Sequence, residues 1–101
     1  MPQEVFPFFP EDVAQEAQVT QLLFEVQQEL YRALRLYPSQ NSLHGAHSVL
    51  REEFEELWEE IRKKTPNLET TKEEAIQVAA MALRLIMEHC NGTNQKDESE
   101  T

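Results

Sequence analysis

Glutamates crowd one stretch of this chain, Arg51-Glu52-Glu53-Phe54-Glu55-Glu56-Leu57-Trp58-Glu59-Glu60-Ile61. If the stretch is helical, Glu53, Glu56 and Glu60 are three and four apart and share one face. Carboxylates stacked this way repel one another. A divalent cation relieves that repulsion, and hard oxygen donors suit Mg²⁺. A second pair, Glu74 and Gln77, is also three apart. Antiparallel packing of the two segments would bring the pairs together. The alternative on spacing alone is a solvated acidic helix face, balanced by Arg62, Lys63 and Lys64. His44 and His47 precede the glutamates with Gly45 between them. They read as capping loop histidines or as groups at the edge of a site, and two histidines without a cysteine make a thin zinc set. Trp58 can stack on a base, but its place in a stripe with Phe54 and Ile61 reads as core. Cys90 has no activating partner beyond His89 and reads as a plain thiol.

Three helices are needed to hold these groups. The first is expected over 11–36, free of Pro and Gly, with Val19, Leu22, Leu23, Val26, Leu30, Ala33 and Leu34 at helical spacing. Glu11 and Asp12 favour its amino end, and Pro38 ends it. The second is expected over 46–64, with an apolar stripe of Leu50, Phe54, Leu57, Trp58 and Ile61, and Pro66 and Asn67 break it. The third should be capped by Thr70 or Thr71 and run to His89. Residues 1–10, with Pro and Phe interleaved, should form an extended arm, and residues 91–101, without an apolar side chain, a disordered tail. The expected fold class is therefore all-α, with residues 11–90 as one domain.

The third helix is apolar round most of its circumference, from Ala75 to Met87. Its polar exceptions, Glu74, Gln77, Arg84 and Glu88, fall on one narrow stripe. Such a helix needs cover on several sides, which two neighbours in a small chain do not easily give. A homo-oligomeric helical bundle, dimer or tetramer, is expected, with a three-helix monomer as the alternative. The chain of 101 residues has a formal net charge of -10. That balance argues against nucleic acid and against an anionic membrane surface as partners. A nucleotide remains possible where a divalent cation lies between the negative charges. One cysteine, no long apolar run and no signal-like start fit a cytoplasmic protein. Two glycines exclude Gly-rich phosphate loops.

Glu52-Glu53-Phe54-Glu55-Glu56-Leu57, followed by Glu59 and Ile61, resembles the Glu-Glu-x-x-Glu-Leu helix of the all-α nucleotide pyrophosphohydrolases, the MazG-like group. Glu74-Ala75-Ile76-Gln77 stands where that group has Glu-x-x-Asp. The stretches from Asn41 to His44, Ser48 to Glu53 and Glu74 to Arg84 also resemble small MazG-like proteins of phages and bacteria. The likeness covers roughly residues 41–85, and the first helix fits by position alone. It implies cleavage of a nucleoside triphosphate into a monophosphate and pyrophosphate with Mg²⁺ or Mn²⁺. Carried over, Glu53, Glu56 and Glu74 would be metal ligands, joined by Gln77. Glu52 would be a further ligand or the group that positions water. His44 would lie at the site edge, and Arg51, Lys72 and Arg84 are candidates for the phosphates, each with an ordinary surface or salt-bridge role as the favoured alternative. Gln77 departs from the family's aspartate. Its carbonyl can coordinate a cation but brings no charge, which implies weaker metal binding and reduced or lost catalysis. The alternative function is a noncatalytic oligomerisation or interaction protein that keeps the MazG-like fold.

Overall fold

The computed structural model describes residues 12–90. The expected arm over 1–10 and tail over 91–101, together with Glu11, lie outside them. The described residues form three helices and no strand: α1 (Val13–Leu36), α2 (Leu43–Ile61) and α3 (Leu68–His89). The all-α expectation therefore holds for the single chain. No described helix is long and apolar enough to cross a membrane.

The helix ends follow local chemistry. Tyr37 is extended, as a residue before proline prefers, and α1 stops there. α2 begins three residues earlier than the apolar stripe suggests. Ser42 is its N-cap, and the Ser42 hydroxyl accepts from the Gly45 N–H at 3.0 Å. Gly45 thus lies inside the helix, and both histidines are helical. A Cβ on Gly45 would meet Gln40 Oε1 at 3.2 Å, so glycine permits that close approach.

α2 also ends three residues early, at Ile61. Glu60 is the reason. Its carboxylate accepts from the Asn67 N–H at 2.8 Å and from Lys63 Nζ at 2.7 Å, which fixes the turn into α3. Arg62, Lys63 and Lys64 therefore follow the helix instead of forming its last turn. Asn67, not Thr70 or Thr71, caps α3: its Oδ1 accepts from the Thr70 N–H at 2.9 Å. Thr71 Oγ1 donates to the Asn67 carbonyl at 2.8 Å.

α3 is the central element. It packs against both other helices, whereas α1 and α2 scarcely touch. The short turn after Glu60 sets α2 antiparallel to α3. α1 runs parallel to α3, since Glu25 pairs with Lys72 at one end and Ala33 meets Arg84 at the other. The result is a trough with α1 and α2 as walls and α3 as floor.

The core is small. Among the described residues, Leu30, Ala33, Ala46 and Ala80 are the buried apolar ones, and no large side chain is fully buried. Phe54 and Trp58 are 60% and 54% exposed, which corrects the expectation that Trp58 is a core residue. Among the described residues α3 is the helix that packs on α2, and it leaves both side chains more than half exposed, Phe54 bordering a groove with Val78 and Ala82 of α3. Leu83, Ile86 and Met87 on α3 are likewise exposed.

Candidate metal centre

Packing α2 antiparallel on α3 joins the two acidic pairs. One carboxylate oxygen from each of Glu53, Glu56 and Glu74 lies within 4.8 Å of the others. Glu53 and Glu74 are half-buried and Glu56 is exposed. Glu53 Oε1 and Glu74 Oε1 are each buried without a hydrogen-bond partner. Orphaned acceptors of this kind are costly unless something satisfies them.

Burial pushes the Glu53 carboxyl above the usual carboxylate range, and the charges of Glu56, Glu74, Glu29 and Glu52 push it the same way. Burial raises Glu74 as well, helped by the charge of Glu56, by a hydrogen bond to it, and by Glu73 and Glu60. Both groups resist ionising because water has been removed and like charges are close. A divalent cation favours the ionised carboxylates and so opposes both effects. The donors are hard oxygens on a half-buried, strongly negative patch, and they fit Mg²⁺ or Mn²⁺ by type and by mutual distance.

A cleft of about 510 Å³ opens beside this cluster. Glu52, Glu53, Glu56 and Gln77 line its acidic end, while Tyr37, Pro38, Val49 and Met81 line the other. Gln77 therefore stands in the cleft with the glutamates, and Glu52 has its exposed carboxylate on the same wall. No protein-family model, curated protein or solved structure matches the chain.

The remaining candidates divide. Arg84 lines the cleft, but its guanidinium is buried and each of its three nitrogens donates to the protein. Nη1 donates to the Ala33 carbonyl at 3.1 Å, Nη2 to the Tyr37 carbonyl at 2.9 Å, and Nε to Glu88 at 2.8 Å. It caps the carboxyl end of α1. Glu88 is held below the usual range, because Arg84 and Ser39 outweigh the burial that opposes them. Arg51 is exposed, pairs with Glu55 at 3.0 Å, and lines a separate apolar groove with His47, Leu50 and Phe54. Lys72 pairs with Glu25 at 3.0 Å. His44 is exposed on the first turn of α2 and is not among the residues lining the cleft. Glu60, on the same α2 face as Glu53 and Glu56, is drawn instead into the α2–α3 turn, and Lys63 and the Asn67 N–H lower its pKa.

Sequence reasoning passed over the α1 wall. Glu29, Arg32 and Ala33 line the cleft, and the following loop adds Tyr37, Pro38 and Gln40. Glu29 and Arg32 are three apart, a spacing that reads as an ordinary surface ion pair. Only the parallel packing of α1 on α3 turns them toward the glutamates.

Proposed function

We propose that this chain is a MazG-like nucleoside triphosphate pyrophosphohydrolase, which cleaves the substrate between its α and β phosphates with Mg²⁺ or Mn²⁺ as cofactor. The observation that carries the reading is the convergence of Glu53, Glu56 and Glu74 within 4.8 Å at the end of a cleft. The order of these residues along the sequence is the order in the MazG-like pattern, and the cleft offers room for a nucleotide.

Glu53, Glu56 and Glu74 would hold the cation, with the Gln77 carbonyl as a neutral fourth donor. When bound, the ion neutralises phosphate charge and stabilises the leaving pyrophosphate. Glu52, exposed on the same wall, orients the attacking water and takes its proton on a carboxylate oxygen. The apolar end at Tyr37, Pro38, Val49 and Met81 excludes water beside the base and sugar. Gln77 reduces the charge at the site by one relative to the family's aspartate, and slow turnover is expected from this chain.

A homo-oligomer, dimer or tetramer, completes the proposal. It is supported by the few buried apolar residues and by exposed Phe54, Trp58, Ile61, Leu83, Ile86 and Met87. A core this small leaves a lone chain marginal. The same surface supports the second reading, a helical interaction protein in which the fold persists without chemistry. Pyrophosphate release from a panel of nucleoside triphosphates separates the two. Mg²⁺-dependent release that Glu53→Gln abolishes supports the enzyme. Absence of release with Mg²⁺ and with Mn²⁺, from every triphosphate tried, leaves the interaction protein.

A further inference from the structure

Positive charge in the cleft comes from two guanidiniums, Arg32 and Arg84. Arg84 is 7% exposed, and its nitrogens already serve the end of α1 and Glu88. Moving it would take a donor from the Ala33 and Tyr37 carbonyls and the cation from Glu88. Arg32 is placed differently. Its side chain is 46% exposed, against 17% for its partner Glu29.

The contact between them is a two-pronged one. Arg32 Nε donates to Glu29 Oε1 at 3.0 Å, and Nη2 donates to Glu29 Oε2 at 2.8 Å. A planar fork that grips two carboxylate oxygens grips two phosphate oxygens equally well. The guanidinium end of this pair faces solvent, where an incoming anion can reach it. Arg32 also stands where the cleft meets a second hollow, and Glu29 and Gln77 line both. Glu29 is close enough to the metal-site glutamates for its charge to bear on Glu53. The guanidinium therefore lines the same cleft as Glu53 and Glu56.

We propose that Arg32 is the substrate-anchoring cation of this cleft, exchanging the Glu29 carboxylate for two oxygens of the substrate's polyphosphate. The inference rests on the reading of Glu53, Glu56 and Glu74 as a metal site that serves a triphosphate. Glu29 is then a positioning residue. It holds the fork extended along the α1 wall before the substrate arrives, and the substrate's charge replaces its own.

The probe is inorganic triphosphate in the presence of Mg²⁺, titrated into the full chain alongside Mn²⁺ alone. Arg32→Gln is expected to weaken triphosphate binding on the order of 100-fold, as loss of two charge-assisted hydrogen bonds does. Its Mn²⁺ affinity and its circular dichroism should match the unaltered chain. Arg32→Lys should recover part of the affinity, since it keeps the charge and loses the fork. Glu29→Gln should bind triphosphate at least as tightly as the unaltered chain, because the competing carboxylate charge is gone. Triphosphate binding by Arg32→Gln within threefold of the unaltered chain would overturn the assignment, as would joint loss of Mn²⁺ and triphosphate. An unaltered chain that binds Mn²⁺ but not triphosphate overturns the role of Arg32 and leaves the metal site standing. One that binds neither overturns the metal site and this inference with it.

Discussion

Glu53 and Glu74 hold protons more tightly in the folded chain than a free carboxyl does. Their folded pKa values lie above the unfolded value of 4.5, so their contribution to stability is fully present below that value. It is lost as pH rises through the folded values, where the crowded carboxyls must ionise. Glu60 and Glu88 act in the opposite sense: their lowered pKa values give stability above 4.5 that is lost as pH falls through the folded values. The double variant Glu53→Gln, Glu74→Gln isolates the first effect. In chelator-treated samples its melting temperature should exceed that of the unaltered chain by a margin that grows between about pH 4 and about pH 7. Added Mg²⁺ or Mn²⁺ should raise the melting temperature of the unaltered chain and leave the variant unmoved. Gln77→Asp adds a charged donor beside the glutamates, and roughly tenfold tighter Mn²⁺ binding in a direct titration is expected. At this scale the sequence was informative about α2 and α3, because spacings of three and four fix a helix face. It was silent about Arg32, whose relation to the glutamates depends on how α1 packs.

Caps, more than apolar periodicity, decide where these helices begin and end. Residues 37–45 read from sequence as a polar loop, which puts the start of α2 near Ala46. Ser42 supplies the hydroxyl that starts it earlier, at Leu43. Asn67 does the same for α3, and Glu60 fixes the turn between them. Ser42→Ala and Asn67→Ala should each cost about 1 kcal/mol in denaturant unfolding. Arg84 stands out among these contacts because it ties α1 to α3 from a buried position. Arg84→Met takes a donor from the Ala33 and Tyr37 carbonyls, of which Ala33 keeps the Tyr37 N–H, and leaves Glu88 without its cation; a loss of about 3 kcal/mol is expected by the same measurement. From sequence, Arg84 reads as an ordinary surface or salt-bridge residue, and the resemblance adds a phosphate contact as a candidate role. It is the polar stripe of α3 that gives the better clue: Glu74, Gln77, Arg84 and Glu88 all face the trough, two at the acidic end and two at the end where α1 stops.

For the whole chain, the helix count and the all-α class were legible because Pro38, Pro66 and the charge pattern punctuate the sequence clearly. The parallel setting of α1 on α3 was not, since α1 is joined to α2 and no local pattern encodes how it comes to lie on α3. The apolar circumference of α3 pointed to more cover than one chain provides, and the exposed side chains of α2 and α3 keep that expectation alive. Light scattering across a range of concentrations should give a dimer or tetramer. Trp58→Glu together with Ile86→Glu should shift the mass toward monomer and lower the melting temperature. A monomer at every concentration would remove the oligomer from the proposal. The most direct test of the metal-dependent triphosphate site is a crystal structure with Mg²⁺ and a nucleoside triphosphate that resists cleavage between the α and β phosphates. The expected result is an ion held by the carboxylates of Glu53, Glu56 and Glu74, with the triphosphate beside it in the cleft. Saturating Mg²⁺ and nucleotide with no ion on those three carboxylates, or a nucleotide bound elsewhere on the chain, would contradict it.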